Sequence, residues 1–408
     1  MLFSLMFADD ATIQVIKKVD TLPTIAVEDA STDYDDTFRL RFFKSIIADL
    51  NVLSIFNVDR HHQLALFDDS DVNVADKDMA YVLRYKLEQD DNNALAVSIK
   101  LFNNDNVVFS KNYKVPKSDV YMFVSHAIAY DLNEFMGQPS VAWMKRKVIF
   151  SRVVKPKESE IVLADYTLSY RHVVLKGGLN LFPKWANKEQ TAFYFTSLSG
   201  AKPTLKYVNI KNGNVKTILS SDGMLVCSDV SEDGKHLLLT MAPHGQPDIY
   251  NYNVQTHKYK RLTTYSGIDV NGQFMGKNKI VFISSRLGYP NLFSKRLDTN
   301  EVEQMVYYGN SNVACSVHGN YVVYTARETS NEFSQNTFNL QLISTNTDYI
   351  RRLTATGVNQ FPRFSRDGDA ILFIKNYKGQ SAIGVIRLKY NKNYLFPLRF
   401  GKVQSLDW

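Results

Sequence analysis

A pattern of strand-like segments returns at a nearly constant interval through the last two-thirds of the chain. One apolar or aromatic residue marks the innermost segment of each repeat, and consecutive marks stand 43 to 47 residues apart. These anchor residues are Trp185, Val230, Phe274, Val317, Phe364 and Trp408. A period of this length, with four strand-like segments per repeat, is typical of a β-propeller in which each repeat forms one blade.

The segments inside a repeat differ in composition. The second segments, such as Ile280 to Arg286, are rich in β-branched and aromatic residues, which favours packed strands. The third segments alternate more between apolar and polar residues, so we expect one side of each to face water. Asn-Gly and Asp-Gly pairs favour tight hairpins between segments because glycine supplies the positive φ that such turns need. These pairs begin at Asn212, Asp222, Asp233 and Asp367.

The two ends of the repeat region complement each other. The first repeat, from about Lys145, begins at a second segment, and the chain ends with one further innermost segment at 403–408. We therefore expect residues 141–408 to form a six-bladed β-propeller in which strand 403–408 completes the first blade. Closure of the ring would remove exposed sheet edges. A solenoid, the alternative repeat fold, would not predict a missing first strand that is supplied at the end.

Residues 9–140 have a mixed pattern. Asp35 and Asp36 precede an amphipathic segment that predicts a helix to about Asn51. Three strand-like runs then predict a meander that ends at Pro116, and Ser118 is expected to cap a second helix over Asp119 to Met136. The predicted fold is therefore an all-β six-bladed β-propeller preceded by a small α+β N-terminal domain.

The first eight residues resemble the end of a secretory signal peptide. Met1 to Phe7 are almost wholly apolar, and Ala8 is a small residue followed by Asp9 and Asp10. We treat residues 1–8 as a signal-peptide remnant and expect the mature protein to begin at Asp9. Mass spectrometry of the exported protein would check this, and recovery of intact Met1 from the cytoplasm would contradict export.

The charge is divided unevenly along the chain. Residues 1–140 have a net charge of −9 and residues 141–408 one of +16. This division fits either two ordinary solvated surfaces or electrostatic steering and docking of separate partners. The basic residues are dispersed and form no run longer than Lys145 to Lys147, so we expect no nucleic-acid partner. No apolar stretch reaches the roughly 18 residues of a membrane span, so we expect no direct membrane insertion.

Motifs for catalysis or metal binding are missing from the sequence. It contains no G-x-S-x-G, H-E-x-x-H, phosphate-binding loop or dinucleotide fingerprint. The pair His61 and His62 has no third ligand at a useful spacing, and Cys227 and Cys315 are expected to be buried free thiols. We expect a monomer without metal or cofactor that is not an enzyme. The alternative is a propeller enzyme that acts on peptides or glycans through its central mouth.

The repeats resemble the blades of the TolB family. The resemblance is carried by the turn segments Ser231 to Thr240 (SEDGKHLLLT) and Ser365 to Ile374 (SRDGDAILFI) and by the strand ends Lys260 to Gly267 (KRLTTYSG) and Arg351 to Gly357 (RRLTATG). The order and sizes of the two predicted domains also match this family, so the resemblance covers nearly the whole chain.

The resemblance implies a periplasmic protein of the Tol–Pal envelope system of a Gram-negative bacterium. Members of the family bind the lipoprotein Pal in the mouth of the propeller and engage TolA through their N-terminal region. The system supports outer-membrane integrity and constriction during cell division. Carried over to this chain, the TolA-binding residues would be Asp9, Asp10, Ala11, Thr12 and Ile13.

The mouth of a propeller is formed by loops that lead into the innermost strands and by loops between the second and third strands. The wide face can hold a protein interface of standard size, about 800 Å² on each side. Phe182 and Phe361 are the best candidates for dominant contacts because they are aromatic. The candidate residues are Leu179, Asn180, Phe182, Met224, Val226, Asp269, Asn271, Ser311, Asn312, Asn359, Phe361 and Gln404.

Overall fold

The computed structural model describes residues 22–70, 72, 79–90, 94–309, 311–328, 336–399 and 402–408. The signal-peptide remnant and the candidate residues Asp9 to Ile13 lie outside them. Within the described part, no helix is long and apolar enough to cross a membrane.

The N-terminal domain is a sheet covered by two helices. Its elements are β1 (Thr24–Asp29), α1 (Asp36–Leu53), β2 (Asn57–Val58), β3 (Gln63–Leu64), β4 (Tyr81–Gln89), β5 (Leu95–Asn103), β6 (Asn106–Val115) and α2 (Tyr121–Phe135). The sheet order is β2-β1-β4-β5-β6, with β3 also paired to β1. The predicted meander is β4, β5 and β6, which pair antiparallel in sequence order.

The two helices begin differently. The Asp35 side chain accepts a hydrogen bond from the backbone N–H of Phe38, so the predicted cap of α1 is confirmed. The predicted cap of α2 is wrong. Ser118 begins a 3₁₀ turn, Ser118–Val120, in which its carbonyl accepts from the N–H of Tyr121, and Val120 precedes α2 without a side-chain cap.

The remaining strands form four-stranded units, each a β-meander. The units are β10 (Asn180–Trp185), β11 (Ala192–Ser197), β12 (Thr204–Asn209), β13 (Val215–Ser220); β14 (Leu225–Val230), β15 (His236–Met241), β16 (Asp248–Asn253), β17 (Tyr259–Arg261); β18 (Asp269–Met275), β19 (Lys279–Ser284), β20 (Asn291–Arg296), β21 (Val302–Gln304); β22 (Asn312–His318), β23 (Tyr321–Arg327), β24 (Phe338–Ser344), β25 (Thr347–Arg352); and β26 (Val358–Phe364), β27 (Ala370–Tyr377), β28 (Gln380–Arg387), β29 (Lys392–Pro397).

The first and last strands of the repeat region share one sheet. Its strands are β7 (Val148–Lys155), β8 (Glu158–Ala164), β9 (Arg171–Lys176) and β30 (Lys402–Asp407), in the order β30-β7-β8-β9. β30 pairs antiparallel with β7, with Leu406 opposite Phe150. The end of the chain therefore supplies the innermost strand of the unit that begins the propeller.

Two expectations about the strands are corrected. Most third strands are more buried than expected, although β12 is only partly buried as predicted, and the outer fourth strands such as β13 and β17 face water. The pair Asp222-Gly223 does not form a hairpin turn with positive φ, whereas Gly213, Gly234 and Gly368 do. Gly223 is required for another reason, because a Cβ there would lie 2.3 Å from the carbonyl oxygen of Ala242.

Helix α1 is joined to the propeller through Arg387 and Trp143. The Arg387 guanidinium donates to the carbonyls of Val52 and Leu53, both at 3.1 Å. These two carbonyls in the last turn of α1 have no partner within the helix, so Arg387 supplies a hydrogen-bond donor to each. The same guanidinium lies 2.7 Å from the carboxylate of Asp369, which also accepts from the indole of Trp143. One hydrophobic cluster contains both helices and the neighbouring propeller strands, so the buried core is continuous across the predicted boundary at residue 140.

Candidate functional site

The inner strands surround a central channel, and one position of the repeat forms a ring at its mouth. This position lies three residues before each anchor, and all its members line one cavity of about 230 Å³. The members, called here the mouth ring, are Phe182, Cys227, Asn271, Ala314, Phe361 and Ser405. Repetition of the fold therefore brings together residues that are far apart in sequence.

The backbone of the mouth ring is strained. Phe182, Asn271, Ala314 and Phe361 have φ values of 56°, 55°, 50° and 54°, and each lies in an irregularity of the pairing between the first and second strands. Left-handed backbone costs a non-glycine residue roughly 1–2 kcal/mol. Bulges of this kind redirect side chains and are frequent at functional sites.

A second ring lies one residue before each anchor and forms a charged layer across the channel. Its members are Lys184, Asp229, Gln273, Ser316, Arg363 and Asp407, and all of them line a second cavity of about 200 Å³ behind the mouth. The Lys184 ammonium lies 2.9 Å from the carboxylate of Asp407 and 3.5 Å from that of Asp229. Lys184 and Arg363 line both cavities, so they form the floor of the mouth.

The charged layer also connects neighbouring units. The carboxylate of Asp407 accepts from the backbone N–H of Trp185 at 2.9 Å, and that of Asp229 accepts from Phe274 at 2.8 Å. Burial alone would lower the pKa of Lys184, but the carboxylates of Asp407 and Asp229 outweigh it and raise that pKa. Lys184 is therefore a cation held in place by the fold.

The mouth is suited to binding rather than to acid–base chemistry. Among the described residues that line its cavity there is no His, Asp or Glu. Burial raises the pKa of the Cys227 thiol, and burial raises that of Cys315 to about 12, so neither is an activated nucleophile. Both are buried and free, as predicted. The described residues contain no group of three or more His, Cys, Asp or Glu that could hold a metal ion.

The predicted site residues divide into three groups. Five line the mouth cavity, namely Phe182, Met224, Val226, Asn271 and Phe361. Four are buried, namely Asn180, Asp269, Asn312 and Asn359. Leu179, Ser311 and Gln404 are half-buried outside the lining of the cavity.

The buried asparagines hold the loops that lead into the inner strands. The amide of Asn180 donates to the carbonyl of Gly177 at 2.7 Å, and that of Asn359 donates to the carbonyls of Phe338 and Thr356. Asp269 pairs instead with Arg286 at 3.2 Å. In this structure these side chains shape the mouth from within and leave its surface to other residues.

Sequence reasoning missed several lining residues, among them Lys184, Cys227, Ala314, Arg363 and Ser405. The repeat contains the pattern that would identify them. Lys184 and Arg363 stand one residue before an anchor, and Cys227, Ala314 and Ser405 stand three residues before one. Sorting the inner segments by position, rather than by loop membership, would have found both rings.

Exposed apolar side chains gather on the same face. Some lie in loops that lead into the innermost strands. The others lie at the ends of second strands or in the loops that follow those strands. All of these positions are at the mouth end of the units. These residues are Leu198, Met224, Ile268, Leu287, Tyr307, Tyr308 and Tyr377, each at least 38% exposed. Exposed apolar side chains on one face suit contact with another macromolecule.

Among the described residues, the hydrogen bonds of the N-terminal domain to the loops of the propeller lie away from this face. The contacts of that domain involve Tyr166, Asp369 and Tyr390, which lie after the third, first and third strands of their units. Loops of those two classes lie at the end of the sheet opposite to the mouth, because consecutive strands are antiparallel.

Comparison with known proteins identifies the family. Residues 138–408 match the family model of the TolB beta propeller domain. A Tol-Pal system protein TolB from Wolinella succinogenes is 49% identical over 412 residues, which cover 99% of this chain and 97% of that protein. The chain belongs to the TolB family.

Other relatives agree with this assignment. A Tol-Pal system protein TolB from Campylobacter jejuni (strain RM1221) is 43% identical over 405 residues, covering 99% of this chain and 96% of that protein. The crystal structure of TolB from Acinetobacter baumannii matches with a TM-score of 0.76 over 94% of this chain and 96% of that one, at 18% identity, which shows the shared fold. Membership in the TolB family gives this chain a β-propeller fold and a role in the Tol–Pal system.

Proposed function

We propose that this TolB-family chain is a periplasmic adaptor that binds Pal through the mouth of its propeller and TolA through its N-terminal region. In this role it would support outer-membrane integrity and constriction during cell division. The observation that carries the proposal is the mouth face, where a strained ring, a floor of the ion-paired residues Lys184 and Arg363 and exposed apolar loops meet, and no acid–base pair is among the described residues that line the cavity.

The chemistry of the mouth defines what a partner must present. Apolar side chains, including Met224, Val226 and Val270, surround the opening, while Lys184 and Arg363 lie beneath. Both cations already face the carboxylate of Asp407, so a protein surface with an apolar protrusion and a tip that accepts hydrogen bonds would complement both levels. Interfaces of this kind gain most of their binding energy from a few central contacts.

Met224→Asp is expected to weaken Pal binding roughly tenfold to a hundredfold, because Met224 is an exposed apolar side chain at the mouth whose replacement places a charge in the interface. Isothermal titration calorimetry with Pal from the same organism would measure this. Leu395→Asp is the matched control, since Leu395 is also 45% exposed but lies on the outer strand β29. Equal affinity of both variants would contradict binding at the mouth.

The N-terminal part of the proposal needs a separate experiment, because Asp9 to Ile13 lie outside the described residues. Deletion of residues 9–13 from the mature chain is expected to abolish capture of TolA and to leave Pal binding intact. If both interactions persist after the deletion, residues 9–13 do not bind TolA and this part of the proposal is wrong. Fractionation of cells that produce the full chain would test the periplasmic location.

In the part of the chain that the structure describes, no arrangement favours the alternative of a propeller enzyme. Ser125, His126 and Asp49 lie together, but the Ser125 hydroxyl donates to Asp49 rather than to the imidazole. All three side chains are buried between the two domains and line neither channel cavity. They form a structural contact without access for a substrate.

A further inference from the structure

A basic groove separates the unit β14–β17 from the unit β18–β21 on the outside of the propeller. It is a cavity of about 510 Å³ whose lining includes Arg261, Tyr265, Arg286, Lys295 and Val302. No carboxylate is among the described residues that line it. These three cations lie away from the two cavities of the central channel.

Lys295 occupies a position that every other unit fills with a buried hydrophobic residue. In each unit, the second residue of the second strand faces a residue of the third strand, and in β19 and β20 this pair is Ile280 with Lys295. The equivalent residues of the other third strands are Leu163, Val208, Tyr252, Ile343 and Ile386, each at most 6% exposed. Those side chains pack in the hydrophobic clusters of their units.

A lysine at such a packing position is costly without a counter-charge. Lys295 is half-buried, and within the described residues no hydrogen bond or ion pair engages its ammonium. Burial and the nearby cations Arg286 and Lys260 lower its pKa. The carboxylate of Asp269 in the same unit attracts Lys295 but does not offset these effects, so Lys295 is a partly desolvated cation without a direct ion-pair partner among the described residues.

The arginines beside Lys295 are fixed. Arg286 donates to Ser284 and to the fully buried carboxylate of Asp269, and its guanidinium stacks 4.7 Å from the ring centre of Phe293. Arg261 pairs with Asp248, whose side chain is also fully buried. Both carboxylates lie behind the arginines, so the groove presents a preorganised set of donors to an incoming anion.

We propose that this basic groove binds an acidic, extended peptide segment of a partner protein, with a Glu or Asp side chain of that segment paired to Lys295. Outer strand β21 has a free backbone edge in its sheet, which an extended chain could join as an added strand. Val302 of β21 lies opposite Lys295, so a partner residue opposite Val302 would share the face of Lys295. Two strand spacings, about 10 Å, separate the two backbones, a distance that a lysine and a glutamate side chain span together.

The groove is larger than a single inorganic anion. Leu262, Tyr265 and Val302 add apolar walls beside the cations, which suits a peptide that carries both a charge and a hydrocarbon surface. Its lining shares no residue with the mouth cavity, but the loops that carry Tyr265 and Arg286 also carry Ile268 and Leu287 of the mouth face.

The test measures the affinity of a fluorescein-labelled hexaglutamate peptide by fluorescence anisotropy at low ionic strength, with the full chain. Lys295→Met is expected to weaken binding roughly tenfold or more, because it removes a charge-assisted contact. It should leave the melting temperature unchanged or raise it, since it restores the apolar character of this position in the other units. Lys216→Met, on the exposed outer strand β13, is the control for the same change in net charge.

Equal peptide affinity for wild type, Lys295→Met and Lys216→Met would overturn the proposal, as would failure of the peptide to bind wild type. Inorganic phosphate is the second probe. If phosphate raises the melting temperature of wild type but not of Lys295→Met while the peptide does not bind, the groove holds a free oxyanion and the peptide assignment is overturned.

Discussion

A chain that lacks residues 402–408 is expected to aggregate or to be degraded. The deletion removes β30 and exposes the edge of β7, to which β30 is paired along its length. It also removes Leu406 and Trp408, which are 1% and 8% exposed, and opens the hydrophobic cluster that joins both domains. Solubility after expression and the melting temperature of any soluble fraction would measure the effect.

The same deletion disrupts the charged layer. Without Asp407, the ammonium of Lys184 loses its nearest carboxylate and the backbone N–H of Trp185 loses its acceptor. Lys184 then keeps only the more distant carboxylate of Asp229 at 3.5 Å, and the loss of the closer partner destabilises a largely desolvated cation. The loss therefore acts on the channel as well as on the sheet edge.

Two substitutions separate these contributions from the loss of the strand itself. Trp408→Ala is expected to lower the free energy of unfolding by roughly 3–5 kcal/mol, as for other buried tryptophans. Lys402→Ala, at an exposed position of the same strand, should have little effect. A soluble truncated protein with unchanged melting temperature and unchanged Pal binding would show that β30 is dispensable for closure.

The repeat was readable from the sequence because burial of the units imposes similar residues at similar positions. The anchors Trp185, Val230 and Trp408 all occur within or next to innermost strands. Pairing of β30 with β7 followed from the same pattern, since the first unit lacked an innermost strand in sequence. Helix α1 was predicted within two residues of its end because its apolar stripe and its Asp35 cap are both local signals.

Features that depend on contacts between distant segments were not readable. Ser118 has the composition of a helix cap, but the 3₁₀ turn that it begins decides how α2 starts. The pair Asp222-Gly223 looks like a hairpin signal, yet the approach of the Ala242 carbonyl explains the glycine. In the sequence, Lys295 resembles any other surface lysine. Its unusual position becomes evident only when strand register aligns it with the equivalent residues of the other units.

The candidate site was predicted only in part, because loop membership can be read from the sequence but contacts within the loops cannot. Loop membership correctly placed Met224 and Phe361 at the mouth cavity. It could not distinguish asparagines that hold a loop, such as Asn312, from residues that face a partner, because both kinds suit turns. The bulge that turns Phe182 and Asn271 into the mouth is a property of strand pairing and has no short sequence signature.

A second large effect is expected at the contact between the domains, where one carboxylate of α1 serves three partners. Asp49 accepts hydrogen bonds from Ser125 and from Tyr166 and contacts the imidazole of His126 at 2.8 Å. On its other side His126 lies 3.3 Å from Asp165 of the propeller. All these side chains are buried.

Asp49→Ala is expected to lower the free energy of unfolding by roughly 3–5 kcal/mol. The substitution removes the carboxylate that accepts from the buried Ser125 and Tyr166 hydroxyls and that pairs with the buried His126. Thermal unfolding would measure the loss. Asp36→Ala is the matched control, since Asp36 lies in the first turn of the same helix with a fully exposed side chain. A small change for Asp49→Ala, similar to that of the control, would contradict a central role for this contact.

The pH dependence of stability tests the charge state of His126 in the same contact. Burial alone would lower the pKa of His126, but Asp49 and Asp165 outweigh it and raise that pKa to about 9. Because the folded state holds this proton more tightly than the unfolded chain, whose histidine pKa is about 6.5, the stabilisation is complete below about pH 6.5 and is lost as the pH rises to about 9. The free energy of unfolding that His126 contributes between these two pH values is at most roughly 3 kcal/mol. His126→Gln should therefore be less stable than wild type at pH 6 and should lose less stability between pH 6.5 and 9. Parallel curves for the two proteins across this range would show that His126 is neutral in the folded state and that the domains are joined without its charge.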